Sequence, residues 1–232
     1  MRTLIGTSGY SYPAWKGHFY PEDLPAKKFL QFYASRFSTV EINNTFYRMP
    51  QAKLVQSWAD AVPDGFCFAI KAPQRITHQK RLKECDDAVA ALLAAVELLA
   101  EKQGPILFQL PPNLKKDVPR LAAFLAAMPK RCRAAFEFRH ESWHADDTYE
   151  ALRAAEAALC ISDTEKLSTP LVATANWGYL RLRREDYVES DIRDWGNKIS
   201  AQNWDTAFVY FKHEDEAKGP AYASLLMSLL NK

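Results

Sequence analysis

Three consecutive runs between residues 105 and 139 decide the fold class: Pro105-Ile-Leu-Phe-Gln109, residues 118–128, and Ala135-Phe-Glu-Phe-Arg139. The runs 105–109 and 135–139 are short and rich in apolar and aromatic residues, which is typical of buried strands. The middle run carries apolar residues at i, i+3 and i+4, which is typical of a helix. Strand, helix and strand in this order predict a parallel sheet covered by helices.

The same alternation continues in both directions along the chain. Strands are predicted near residues 4–8, 39–43, 66–71, 105–109, 135–139, 159–163, 178–183 and 207–212. Helices are predicted over residues 118–128, 147–157, 190–201 and 222–230, from Pro25 at position N1 to about Phe37, and from an Asp86 or Asp87 cap to about Gly104. Eight strands in 232 residues favour one α/β domain over residues 1–232, a TIM-like (β/α)-barrel. The barrel is expected to be irregular between the sixth and seventh strands, because residues 163–178 lack a helical pattern.

Composition limits the class of protein. Apolar residues make up 48% of the chain and charged residues 25%, and the net charge of +2 gives no long-range field for DNA or an acidic membrane. The four cysteines form no C-x-x-C pair, so reduced thiols and a cytoplasmic location are expected. No signal peptide is recognised, and the apolar segment 88–100 is too short to span a bilayer, so no membrane partner is expected.

Strand parity predicts a charged barrel mouth. In several strands the bulky apolar residues occupy one parity, which should face the helices, while small or polar residues occupy the other and should face the barrel axis. The axis-facing parity becomes polar or charged near the end of the strands, at Glu41, Lys71, Gln109, Glu137, Arg139 and Arg181. The carboxyl ends of the strands are where (β/α)-barrel enzymes have their active sites. The alternative is that these charges neutralise one another in a plugged barrel.

At these residues the chain resembles the YecE family, domain of unknown function 72. The resemblance rests on segments in the same order along nearly the whole chain: Gly6-Thr-Ser-Gly-Tyr10, Trp15, Phe19-Tyr-Pro21, Thr39-Val-Glu-Ile-Asn-Asn-Thr-Phe-Tyr-Arg48, Phe66-Cys-Phe-Ala-Ile-Lys71, Ile76-Thr-His78, Leu107-Phe-Gln-Leu-Pro-Pro112, Glu137-Phe-Arg-His-Glu-Ser-Trp143, Tyr179-Leu-Arg-Leu182 and Val209-Tyr-Phe211. Jointly these motifs are highly specific. The resemblance implies a (β/α)-barrel related to sugar-phosphate and nucleic-acid enzymes, and no established activity.

Two positions depart from the family pattern. The family usually has His-Gly where this chain has Arg183-Arg184, and paired Asn where it has Lys212-His213. If these positions contact ligand, the resemblance implies a different or more anionic ligand here.

Three residues are predicted to be catalytic. Glu41 and Glu137 form a candidate acid/base pair. Lys71 is a candidate base or Schiff-base nucleophile, or else a counter-ion to a glutamate. Arg139 could hold an anion beside Glu137, while His140 could titrate near neutral pH or make a structural hydrogen bond.

The predicted ligand-binding residues lie at strand ends and in the following loops. They are Asn43, His78, Gln109, Arg139, His140, Trp143, Asp163 and Arg181. Asp163 shares the parity of its outward-facing neighbours, so a capping or turn role is an equal alternative. His78, His140, Glu41 and Glu137 lack H-x-H or H-E-x-x-H spacing, so no metal site is predicted. The absence of a glycine-rich phosphate loop disfavours nucleotide cofactors, and the cofactor is left unknown.

Three functions compete at this point. The best guess is an enzyme acting on a small phosphorylated or carboxylated polyol by acid/base chemistry. Nucleic-acid binding or processing is the first alternative, resting on Lys80-Arg-Leu-Lys83 with Arg75 and His78, although a solvated helix start explains this cluster equally well. A non-catalytic ligand-binding module is the second, and the oligomeric state is left open.

Overall fold

Eight parallel strands form one sheet in the computed structural model, which describes residues 1–129, 132–165 and 168–230. The strands are β1 (Arg2–Thr7), β2 (Thr39–Ile42), β3 (Cys67–Lys71), β4 (Gln103–Gln109), β5 (Ala134–Glu137), β6 (Ala158–Asp163), β7 (Trp177–Leu182) and β8 (Thr206–Phe211). Their order in the sheet is β1-β8-β7-β6-β5-β4-β3-β2, and β1 approaches β2 to nearly close a barrel. The predicted α/β barrel is confirmed, and each predicted strand is present with its ends shifted by a few residues.

The described part of the chain contains seven α-helices, six of them between strands and the last one after β8. They are α1 (Phe29–Ala34), α2 (Ala52–Asp60), α3 (Asp86–Glu97), α4 (Val118–Ala127), α5 (Asp146–Ala154), α6 (Glu189–Ser200) and α7 (Lys218–Leu230). A π-helical turn, Arg75–Gln79, lies between β3 and α3. Between β6 and β7 the described residues contain no helix, so the predicted irregularity is present there.

The two faces of the strands pack into separate apolar clusters. The inner cluster fills the barrel axis with Leu4, Ala69, Leu107, Ala135, Ala158, Cys160, Trp177, Tyr179, Phe208 and Tyr210. The outer cluster contains the opposite parity, such as Val40, Phe68 and Phe136, packed against the helices. The parity interpretation of the sequence is therefore confirmed. The polar groups that share the inner parity lie at the carboxyl end of this plugged axis.

A tyrosine from α1 supports the seam between β1 and β2. The Thr7 N–H donates to the Tyr33 hydroxyl at 2.8 Å, and that hydroxyl donates to the Thr39 carbonyl at 3.0 Å. Gly6 permits this close approach, because a Cβ there would lie only 2.2 Å from the Thr39 oxygen. Direct pairing of the two strands is confined to a bridge between Ser8 and Glu41. Closure of the barrel therefore occurs next to a residue of the charged mouth.

Three predictions about the helices are wrong in detail. Pro25 precedes the first helical turn in an extended conformation and is not at N1. Asp86 is the first residue of α3, whose N-cap is Cys85, and Gly104 lies inside β4 and does not end a helix. The helix α2 is missing from the sequence prediction. No helix in the described residues is both long and apolar enough to cross a membrane.

Candidate functional site

Three charged side chains are buried together at the carboxyl ends of the strands. Glu41 is 0% exposed, and Glu137 and Arg181 are each 2% exposed. The Arg181 guanidinium joins the two carboxylates: Nη2 donates to Glu41 Oε1 at 2.8 Å, and Nη1 donates to Glu137 Oε2 at 2.5 Å. We call Glu41, Arg181 and Glu137 the buried ion network.

Neutral side chains complete the hydrogen bonding of both carboxylates. Tyr179 donates to Glu41 Oε2 at 2.6 Å, and the Ser8 hydroxyl donates to Glu41 Oε1. Gln109 donates to Glu137 Oε2 at 2.8 Å, across a register pair of β4 and β5. Buried charges are tolerated only when they are paired and hydrogen-bonded in this way.

The network keeps both carboxylates ionised. Burial alone would raise the pKa of Glu41, but the Arg181 charge and the hydrogen bonds from Ser8 and Tyr179 outweigh it and lower that pKa. Burial likewise opposes ionisation of Glu137, while Arg181, Arg139 and Arg183 hold its pKa well below the usual range. Neither carboxylate is therefore poised to accept a proton near neutral pH.

A cavity of about 450 Å³ opens beside Glu137, between the ends of β4, β5, β6 and β7. Its walls are Pro112, Glu137, Phe138, Arg139, Ser162, Thr164, Glu165, Thr169 and Arg183. Arg139 Nε donates to Glu137 Oε1 at 3.0 Å, and Arg183 Nη1 lies 3.7 Å from the same oxygen. Both guanidiniums keep donors directed away from Glu137, since each group has five. Their side chains are 37% and 18% exposed, so they line the cavity with positive charge.

Lys71 lies on the same mouth, at the end of β3, and has no carboxylate partner in the part of the chain that the structure describes. Its Nζ is 4.0 Å from the centre of the Phe46 ring, and the His78 ring packs edge-on against the same phenylalanine at 4.9 Å. Burial, followed by the Arg181 charge, lowers the pKa of Lys71 to about 7. Burial and the nearby Lys71 charge also lower the pKa of His78. We call Lys71, Phe46 and His78 the amine cluster.

The predicted residue Asn43 and several polar residues beyond the predicted set also belong to this mouth. Asn43 Nδ2 donates to Ser8 Oγ at 3.0 Å, which places Asn43 in the mouth together with Ser8. Ser8, Tyr179, Ser162 and Arg183 were not predicted as site residues. Strand parity could have identified Ser162, because it has the parity opposite to the outward-facing Asp163. In the structure Ser162 is paired with the inward-facing Arg181 in the register of β6 and β7.

Two predicted ligand-binding residues face away from the mouth. Trp143 is fully buried in the outer apolar cluster, where it stacks on Phe138 with ring centres 4.7 Å apart and donates Nε1–H to the Leu114 carbonyl at 2.8 Å. Asp163 points outward as its parity indicated, and its Oδ2 accepts from Trp195 Nε1 of α6 at 3.0 Å. Neither side chain lines the cavity, so the structure does not bring either of them to the mouth where the sequence prediction put them; for Asp163 the sequence had left a capping or turn role as an equal alternative.

His140 has a structural hydrogen bond, which was one of its two predicted roles. Its Nδ1 accepts from the Ser142 N–H at 3.2 Å and caps the turn Glu141–Trp143. This bond fixes the loop that follows β5. It leaves the titrating role of His140 untested.

The residues that depart from the family pattern divide between the mouth and its support. Arg183 lines the cavity, whereas Arg184 Nε pairs with Asp163 Oδ2 at 3.1 Å. Lys212 Nζ lies 3.7 Å from Glu214 Oε1. His213 shares a hydrogen bond with the Arg184 carbonyl. Arg183 is thus the departure that changes the cavity wall.

Within the described ranges, no group of three or more His, Cys, Asp and Glu side chains could hold a metal ion. The basic cluster proposed for nucleic acid lies in and after the π-helical turn, where Lys80 Nζ is 4.0 Å from Glu84. Lys80 is exposed, as a solvated surface residue would be. No contact of this cluster points specifically to nucleic acid.

The sequence comparison identifies the family. Residues 4–232 match the model of a protein family described as "Protein of unknown function DUF72". The chain belongs to the DUF72 family. Among curated relatives of this DUF72 chain, the UPF0759 protein YecE of Escherichia coli K12 is 32% identical over 142 residues, and the UPF0759 protein YunF of Bacillus subtilis 168 is 31% identical over 157. These matches cover 61% and 63% of this chain but 50% and 54% of the relatives, so the chain spans about half the length of the curated relatives it matches.

Solved DUF72 structures show the same barrel. A DUF72 family protein of Thermotoga maritima superposes with a TM-score of 0.89 at 25% identity, covering 100% of both chains. A DUF72 family protein of Enterococcus faecalis gives a TM-score of 0.79 at 19% identity, covering 100% of this chain and 98% of that one. The second likeness shows the fold alone, and neither description states an activity.

Proposed function

We propose that the barrel mouth binds a small anionic polyol, phosphorylated or carboxylated, and performs acid/base chemistry on it. The observation that carries the proposal is a pair of guanidiniums, Arg139 and Arg183, that one Glu137 oxygen orients at the cavity wall. Two carboxylates, Glu41 and Glu137, meet three guanidiniums, from Arg139, Arg181 and Arg183. This group holds one guanidinium more than it has carboxylates. Glu165 also lines the cavity, where its Oε1 accepts from the Glu185 N–H at 2.7 Å, and the amine of Lys71 lies nearby.

The two more exposed guanidiniums are suited to hold the anion. Arg139 and Arg183 are oriented by the same Glu137 oxygen and border the same cavity. A guanidinium binds carboxylate or phosphate oxygens through paired N–H donors, and a fixed orientation reduces the entropic cost of binding. Ser162 and Thr169 line the same cavity and supply hydroxyl groups suited to a polyol.

Proton exchange is assigned to the amine cluster. Lys71 has a pKa of about 7, and the lowered pKa of His78 keeps its ring neutral at that pH, so both can exchange protons under these conditions. The sequence placed Glu41 and Glu137 among the catalytic residues. In this proposal both carboxylates position Arg181 and the neighbouring guanidiniums, because their hydrogen bonding is complete and both stay ionised. A cytoplasmic location remains a prediction from the cysteines.

Thermal unfolding of the chain with and without ligands tests the anion site. The probes are glycerol 3-phosphate and glycerate, with glycerol as the uncharged control. A bound anion at about 100 times its Kd stabilises the fold by roughly 2.7 kcal/mol and raises the Tm by several degrees. We expect the shift in the wild type to disappear in Arg139→Ala and to persist in Arg193→Ala, which removes an exposed arginine of α6 that pairs with Glu189.

Two results would count against the proposal. A Tm that does not respond to phosphorylated or carboxylated polyols would remove the anion site. An anion shift retained in Arg139→Ala would place the anion elsewhere.

For the chemical step, conversion of a bound polyol is followed by proton NMR, and Lys71→Met is expected to bind the polyol without converting it. Binding without conversion in the wild type would favour the non-catalytic module instead.

A further inference from the structure

Lys71 differs from the other basic groups of the mouth in its neighbours. Arg181 bonds to two carboxylates, Arg139 and Arg183 share Glu137, and Lys212 lies near Glu214. Among the described residues, no carboxylate oxygen lies within 4.0 Å of Lys71 Nζ. The amine lies instead over the face of the Phe46 ring. The counter-ion role that the sequence left open for Lys71 is therefore not what the structure shows.

The amine is placed where a ligand can meet it. Lys71 has the inward parity of β3, above the small side chains of Cys67 and Ala69, and pairs in register with Leu107 of β4. It is only half-buried at the carboxyl end of the barrel, on the mouth that also holds the anion cavity. The Phe46 ring covers one side of the amine, and its face attracts the ammonium form, while burial acts in the opposite direction and, with the Arg181 charge, lowers the pKa of Lys71 to about 7.

We propose that Lys71 captures the carbonyl carbon of a small anionic aldehyde or ketone as an imine, while Arg139 and Arg183 hold the anionic group. This inference rests on the proposed anion site and specifies the class of polyol as one that carries a carbonyl group. His78, which packs against the same Phe46 ring, is the proton carrier of the pair.

The step balances without any further reactant. The nitrogen lone pair of neutral Lys71 forms a bond to the carbonyl carbon, and the carbonyl π electrons move to oxygen, which takes up a proton. The nitrogen loses its two protons in turn, with His78 as the nearby base; the first accounts for the proton on the oxygen, and the second, passed to the hydroxyl, lets it leave as water. The C=N double bond forms as water departs, so amine and carbonyl give imine and one water, with no oxidant or reductant.

Reductive trapping tests the imine directly. The full chain is incubated at pH 7 with glyceraldehyde 3-phosphate and sodium borohydride, and the modified lysines are mapped by mass spectrometry of peptides. Glycerol 3-phosphate, which has the phosphate but no carbonyl, is the control ligand. About half of the Lys71 amines are neutral at that pH, against roughly one in a thousand for an ordinary lysine, so we expect Lys71 to be labelled at least about tenfold faster.

Matched variants and competition locate the reaction. Lys212→Met removes another lysine of the same mouth and is expected to leave labelling of Lys71 intact, whereas Lys71→Met abolishes the dominant adduct. Inorganic phosphate should slow labelling of Lys71 without protecting exposed lysines. If Lys71→Met fails to fold, the pH profile of labelling in the wild type still decides, because the Lys71 adduct should rise through pH 7 while the others rise near pH 10.

The outcomes separate the two proposals. Labelling that does not favour Lys71 over exposed lysines overturns the imine. If Lys71 is not preferentially labelled but glycerol 3-phosphate still raises the Tm, the imine proposal fails and the proposed anion site stands. Preferential labelling of Lys71 that phosphate does not slow overturns the combined site, since the carbonyl would then be captured without the anion being held by Arg139 and Arg183.

Discussion

The buried ion network and the amine cluster lie at the same end of the barrel, yet they treat charge in opposite ways. In the network, Arg181 is 2% exposed and is bonded to two ionised carboxylates. In the cluster, Lys71 is half-buried with a phenylalanine ring in place of a carboxylate. The network keeps its carboxylates ionised, whereas burial in the cluster lowers the pKa of Lys71 and so disfavours its charged form. Pairing thus decides whether a buried ionisable group holds structure or is available for chemistry.

This difference also answers the alternative that the mouth is only a structural ion-pair plug. Glu41, Arg181 and Glu137 do neutralise one another at the barrel axis, as that alternative expects. Arg139 and Arg183, on the cavity side, share one Glu137 oxygen, and the other carboxylate of the cavity wall, Glu165, accepts from the Glu185 N–H. The mouth therefore contains a plug and, beside it, a rim of two guanidiniums that share a single carboxylate oxygen.

Arg181→Met should produce the largest loss of stability. It leaves the buried carboxylates of Glu41 and Glu137 without their shared cation, and breaking a buried pair costs about 3–5 kcal/mol. Urea unfolding of the wild type and the variant measures the difference. Arg193→Met on α6 is the control and should change the unfolding free energy by no more than about 0.5 kcal/mol. Equal effects in the two variants would refute a structural role for the network.

Tyr33→Phe should have the next largest effect. The substitution removes the hydroxyl between the Thr7 N–H and the Thr39 carbonyl, so two buried backbone groups lose a partner at a cost of about 1–3 kcal/mol. Hydrogen exchange should also speed up at the Thr7 amide. Tyr47→Phe is the matched control, because Tyr47 is 77% exposed. A loss confined to global stability, with Thr7 exchange unchanged relative to the other amides, would argue against the seam contact.

The sequence predicted the positions of the charges but not their pairing. Alternation along each strand placed Glu41, Glu137 and Arg181 on the barrel axis, because parity depends only on local backbone geometry. Which carboxylate shares which guanidinium depends on strand order and register, which here join residues 44 and 140 positions apart. For the same reason, the absence of a carboxylate beside Lys71 could not be known before the fold.

Other misses have equally physical causes. Trp143 follows the charged Glu137-Phe-Arg-His140 segment closely in sequence, but the turn capped by His140 directs it outward onto Phe138. The helix α2 is short, and its buried residues Val55, Trp58 and Ala59 give barely one helical repeat. Contacts between elements, more than the local sequence pattern, determined the direction of Trp143 and the formation of α2.

The pH dependence of stability should distinguish Lys71 from ordinary lysines. Its pKa is about 7 in the folded chain against an ordinary value of 10.5, so the unfolded state binds more protons between these two pH values. The free energy of unfolding therefore rises with pH across that window. Below pH 7 the contribution of Lys71 is at its lowest and no longer changes with pH. From pH 7 to pH 9 we expect the wild type to gain on the order of 1–2 kcal/mol relative to Lys71→Met, measured by urea unfolding at each pH. A difference independent of pH would mean that Lys71 is protonated in the folded chain throughout the window.

Arg183→Ala should have the smallest effect on stability and separates the rim from the network most sharply. Arg183 lies 3.7 Å from a Glu137 oxygen that also accepts from Arg139, so its loss leaves Glu137 paired and should cost at most about 1 kcal/mol. The same substitution removes a charge-assisted hydrogen bond to the proposed anion, worth about 1.5–3 kcal/mol, or at least about a tenfold weaker Kd. Unfolding and ligand titration of one variant measure both quantities. A large loss of stability with unchanged affinity would assign Arg183 to the structural network, because only a group that holds the carboxylates, and not the ligand, would behave in that way.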